Sequence, residues 1–64
     1  MNKLTINIWE SEKYPYVEVL DDDDFVCVTI MKDELFDNLN DVLEEILWAK
    51  EQGATIEVHV KWLF

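Results

Sequence analysis

The chain has 64 residues, with 15 Asp or Glu against five Lys and no Arg, for a formal net charge of −10 at pH 7. That balance excludes direct binding to nucleic acid, whose phosphates demand Lys and Arg, and disfavours anionic membrane surfaces. Hydrophobic residues make up 50% of the chain, enough for one small core in one domain spanning 1–64 and too many for a disordered polymer. Cys27 is the only cysteine, so neither an internal disulfide nor a Cys-rich zinc site is available, which suits a reducing compartment. The opening MNKLTINIW lacks the apolar run of a signal peptide, and no stretch approaches the roughly 18 apolar residues of a membrane span. A cytoplasmic protein is expected.

Leu4, Ile6 and Ile8 alternate with Thr5, Asn7 and Trp9, predicting a half-buried strand from about Lys3 to Trp9. Glu10 to Lys13 reads as a turn. Tyr14 to Leu20 is a second strand, with Pro15 at its start or edge because proline donates no ladder hydrogen bond. Asp21, Asp22, Asp23 and Asp24 form a loop, since adjacent carboxylates repel and Asp favours turns. Phe25 to Ile30, FVCVTI, is the least polar run and reads as a central strand.

The longest periodic stretch follows, Asp33 to Gln52, with Asp33 as cap and Gly53 as terminator. Leu35, Leu39, Val42, Ile46 and Ala49 form its apolar stripe, flanked by Phe36, Leu43 and Leu47. The opposite side holds Glu34, Asp37, Asp41, Glu44, Glu45 and Glu51, with Lys50 as the only base. Ala54 to Trp62 alternates again, with Ile56, Val58, Val60 and Trp62 inward and Thr55, Glu57, His59 and Lys61 outward. The expected fold is α+β, in the order βββαβ: a single four-stranded mixed sheet with one helix packed on one face. The last strand either pairs parallel with the first, giving the order 3-2-1-4, or lies beside the third; handedness rules do not choose. The face away from the helix carries Trp, Tyr and His among polar residues and is a candidate interface.

Enzyme chemistry finds no foothold. His59 is the only histidine and has no evident nucleophile or orienting acid. Cys27 sits in an apolar strand, where a thiol behaves as a small hydrophobe. Ser11 lies between acids without a base, and one glycine cannot build a phosphate loop. The four adjacent Asp residues fail the EF-hand pattern, since Val26 and Lys32 occupy its sixth and twelfth places. The reading is a non-enzymatic protein with no cofactor and no metal.

The acids themselves are the candidate partner-binding residues. On a helix rising about 1.5 Å per residue, acids three or four apart place a charge roughly every 5 Å. A DNA strand presents a phosphate per about 3.4 Å of axis. Asp37, Asp41, Glu44 and Glu45, with Glu34, form such a row, and Asp21 to Asp24 at one end and Glu10 and Glu12 at another extend it. In size, charge and helix-on-sheet layout the chain resembles the small acidic inhibitors carried by phages and mobile elements, many of which mimic DNA. Uracil-DNA glycosylase inhibitors among them carry a Glu-Ser-Ile stretch whose acid meets the enzyme's DNA-binding site; here Glu10-Ser11 is followed by Glu12. Anti-CRISPR and anti-restriction inhibitors and nuclease immunity proteins share the same general features. The resemblance implies a basic nucleic-acid-binding enzyme as partner, with the chain itself a monomer or homodimer. The alternative is a self-associating module that uses the uncovered sheet face and is acidic only for solubility.

Overall fold

Alternation and turn chemistry dictate the strands of the computed structural model, which describes residues 1–62. They are β1 (Lys3–Glu10), β2 (Tyr16–Leu20), β3 (Val26–Met31) and β4 (Thr55–Trp62), with a 3-10 turn at Lys32–Glu34 and one helix, α1 (Leu39–Glu51), before β4. The sheet order is β3-β2-β1-β4: three antiparallel strands with β4 added parallel to β1. This is the expected α+β arrangement, and of the two places open to the last strand it takes the one beside the first.

The β1–β2 connection is tied by Ser11, whose Oγ accepts from the Lys13 and Tyr14 N–H groups at 3.2 Å each. Pro15 falls just before β2, so that strand begins at Tyr16 and not at Tyr14. In the β2–β3 turn, Asp21 Oδ1 accepts from the N–H groups of Asp23 and Phe25, both at 2.9 Å. Asp24 closes the turn at φ 61°, a left-handed conformation that Asp tolerates better than most residues.

FVCVTI is an edge strand, not a central one. Register slips between Val19 and Leu20, where Val28 and Val26 are successive partners and Cys27 is the extra residue of a bulge. The bulge breaks the alternation, so only Val28 and Ile30 reach the core while Phe25, Val26 and Cys27 are exposed.

The helix is shorter than its periodicity predicts, and Asp33 does not cap it. Asn38 occupies the cap without a side-chain cap bond; its Nδ2 donates instead to the Glu34 carbonyl at 3.0 Å. Asp37, Asn38 and Asn40 offer the backbone local alternatives to helical bonding, which delays the start to Leu39. Phe36 is left out in solvent, and Leu39, a member of the expected apolar stripe, is 40% exposed. The C-terminal end follows expectation. Gly53 sits at φ 75°, its N–H donates to Lys50 O at 3.0 Å, and Ala54 N–H donates to Ala49 O at 2.9 Å, the double closure that a left-handed glycine permits.

The core comprises Leu4, Ile6, Val17, Val19, Ile30, Val42 and Ala49, with Ile8, Val28, Leu35, Ile46 and Ile56 half-buried around it. Val58, Val60 and Trp62 share this sheet face by register with Ile6, Ile8 and Glu10, yet they are 58%, 65% and 68% exposed. Facing was legible; burial was not. A helix about 10 Å across cannot cover four strands spaced about 4.8 Å apart. Leu4, fully buried, is therefore the position whose truncation hurts most. Leu4→Ala should cost about 2–5 kcal/mol, while Leu39→Ala should cost about 1 kcal/mol or less. Denaturant midpoints for the two variants check this; equal shifts would mean that Leu39 lies in the core after all.

Candidate functional site

Three of the candidate acids, Asp41, Glu44 and Glu45, are brought to one side of the helix. Relative to the buried Val42–Ala49 stripe, Asp41, Glu45 and Trp48 lie on one flank of α1, with Glu44 towards solvent beside them; Leu39, Leu43 and Leu47 lie on the other. The first flank faces β3. Glu44, Glu45 and Trp48 line an open cavity of about 470 Å³ together with Met1, Asp21 and Cys27. Asp21 thus places the Asp turn at the lower end of the helical acids. Asp37 and Glu34 precede α1 in the turn and the 3-10 segment, at the upper end.

Few of these carboxylates are neutralised. Among the described residues the ion pairs are Lys32–Glu10 at 2.6 Å, Lys3–Glu57 at 3.8 Å and His59–Glu57 at 3.6 Å, the last when the imidazole is protonated. None engages Asp37, Asp41, Glu44 or Glu45. Glu10 is different from the rest: both its oxygens accept from Lys32 Nζ, at 2.6 and 2.8 Å, which removes it from the unpaired track. Glu12 is exposed in the β1–β2 connection.

The Asp turn is built by local bonds. Carboxylate oxygens of Asp21, Asp22 and Asp23 lie within 4.8 Å of one another, but Asp21 is occupied by its own turn and Asp22 Oδ2 accepts from Asn2 N–H at 3.0 Å. That bond, with the N-terminal ammonium and Lys3 nearby, holds the Asp22 carboxyl below its ordinary value. A lowered folded value means that the tie stabilises the fold above the usual carboxylate range and is lost as pH falls through the lowered value.

The face away from the helix covers itself. Trp9 stacks on Tyr16 with centroids 6.0 Å apart, and Lys61 Nζ lies 5.1 Å from the Trp9 centroid. Glu18 Oε1 accepts from Trp9 Nε1 at 2.7 Å and from Asn7 Nδ2 at 3.1 Å. Asn7 is buried beneath them, and its Oδ1 has no hydrogen-bond partner among the described residues. Of the large exposed apolar side chains, Val26 and Met31 share this face by register with Leu20 and Tyr16, while Val58, Val60 and Trp62 lie on the helix-bearing face.

No family model, curated protein or solved structure matches the chain. No described helix is long and apolar enough to cross a membrane.

Sequence reasoning missed Cys27. It is exposed rather than buried, because the bulge turns it out of the strand's alternation. Partial burial of the sulfur, and then the fields of Glu45 and Asp21, push its thiol up, which disfavours the reactive thiolate. Removing one carboxylate should lower that value. Glu45→Gln is therefore expected to speed iodoacetamide alkylation of Cys27 several-fold at pH 8, with the gain shrinking in high salt. An unchanged rate would place Glu45 too far from the thiol for helix and turn to share one negative pocket.

Proposed function

We propose that the chain is a non-enzymatic protein inhibitor that mimics DNA, occupying the basic nucleic-acid groove of a DNA-processing enzyme such as a uracil-DNA glycosylase or a nuclease. The observation that carries the reading is the unpaired acid flank, running from Glu34 and Asp37 through Asp41, Glu44 and Glu45 to Asp21–Asp24, with no described lysine bridging the helical members. A solvated helix face of no further function is ordinarily laced with counter-charges. Here the lysines sit elsewhere, and like charges are held together by the fold at a cost in self-repulsion. A basic groove would relieve that repulsion and supply the missing partners. The setting that suits this is the cytoplasm, and for a phage-borne gene the role would be evasion of a host defence.

The acids act by position, not by reaction. Carboxylates on one rigid helix need no ordering on binding, and their field steers a cationic partner into encounter. Neutralising Asp37, Asp41, Glu44 and Glu45 to Asn or Gln should slow association with the target at least tenfold at low salt and leave thermal stability unchanged or slightly raised, since exposed acids contribute little to folding. DNA should compete with the wild-type chain. Surface-captured target from host lysate, identified by mass spectrometry, provides the assay. Equal association rates for wild type and the quadruple variant would show that this flank is not the interface.

A further inference from the structure

The two edges of the sheet are unlike. β3 is guarded: Cys27 bulges it, Asp24 turns into it at positive φ, and Asp21 and Glu45 lie close to its first residues. Bulges and charge are how natural sheets prevent an edge from pairing with another chain. β4 has no such bulge. It runs for eight residues in unbroken register with β1, from Thr55 beside Lys3 to Trp62 beside Glu10.

One bond fixes the direction of its backbone groups. Thr55 N–H donates to the Asn2 carbonyl at 2.9 Å, so Thr55, Glu57, His59 and Lys61 turn N–H and C=O towards β1. Successive residues of a strand direct these groups to opposite sides. Ile56, Val58, Val60 and Trp62 therefore aim theirs away from the sheet, and Val58, Val60 and Trp62 are also the exposed apolar side chains of this edge.

We propose that β4 is the interface of a two-fold homodimer, paired antiparallel with β4 of a second copy so that His59 stands opposite His59 of that copy. Two features choose this register independently. Using the outward groups of all four residues requires Ile56 opposite Trp62 and Val58 opposite Val60, each pair exchanging both bonds, for about eight main-chain hydrogen bonds in all. The same register sets Glu57 opposite Lys61 of the second copy, and Lys61 opposite Glu57, so the charges of the strand are self-complementary. A slip of two residues strands part of the outward set and breaks both ion pairs; a slip of four brings Glu57 against Glu57 or Lys61 against Lys61.

Electrostatics permits this face and forbids the other. The chain carries −10 overall, but Glu57 and Lys61 cancel within β4, and the acid flank lies across the helix. On the helix-bearing face, Val58, Val60 and Trp62 of both copies form one apolar strip, bordered by the Leu39, Leu43 and Leu47 flanks of two helices. Both acid flanks stay at the outer ends, so the interface does not depend on the inhibitor reading.

Sedimentation equilibrium on the full chain across micromolar to millimolar concentration tests the proposal. The wild type should give twice the monomer mass. Glu57→Lys and Lys61→Glu, each setting like charges directly opposite at two symmetric places, should each raise the dimer dissociation constant roughly tenfold. Combining Glu57→Lys with Lys61→Glu should restore wild-type association, since the exchanged pair is again complementary. Val60→Lys should yield monomer with an unchanged circular dichroism spectrum. A wild-type chain that stays monomeric at millimolar concentration overturns the proposal; so do single variants that associate like wild type, or a double variant as weak as the singles.

Discussion

One helix on four strands is the constraint from which the rest of this structure follows. The helix, about 20 Å long and 10 Å across, buries Val42 and Ala49 against the sheet and leaves the β4 strip of the same face, Val58, Val60 and Trp62, uncovered. Its two flanks are chemically opposite. Towards β3 it turns Asp41 and Glu45, and Glu45 shares a cavity with Asp21 and Cys27; away from them it turns Leu39, Leu43 and Leu47. Shape thus converts a sequence pattern into two separate surfaces, one for charge and one for apolar contact.

The basic residues sharpen that division. Lys32 is taken by Glu10, Lys3 lies near Glu57, and Lys61 rests over Trp9. These cations serve the top of the sheet, the β4 side and the face away from the helix. The acid flank is left to solvent or to a partner; burial of the sulfur first, and then the charges of Glu45 and Asp21, push the Cys27 thiol up. Concentrating like charge costs stability in a domain this small. The inhibitor role proposed above would offset that cost when a basic partner is bound.

Most of the fold could be read from alternation and turn chemistry. Leu4, Ile6 and Ile8, the Asp turn and the glycine closure at Gly53 each signal one local outcome, and each occurs. The failures have specific causes. Asp33 looked like a cap because an acid preceded the periodic run, but Asn38 and Asn40 compete for the backbone and shift the start. FVCVTI looked central because apolarity implies burial, yet a bulge at Cys27 sends half of it to solvent. Val58, Val60 and Trp62 were assigned to the correct face, whose coverage depends on where the helix crosses, a tertiary quantity with no local signal. For the site, the row of helical acids was visible in spacing. Its convergence with Asp21 and the loss of Glu10 to Lys32 required the three-dimensional arrangement.

The division of the surface by the helix can be measured directly through amide relaxation by paramagnetic solutes. A cationic nitroxide, compared with a neutral one of equal size, samples local potential residue by residue. A divided surface predicts the greatest cation-over-neutral enhancement at Asp21–Asp24, Asp37, Asp41, Glu44 and Glu45, and the least from Ile56 to Trp62. Equal enhancement on the two sides of the helix would contradict it.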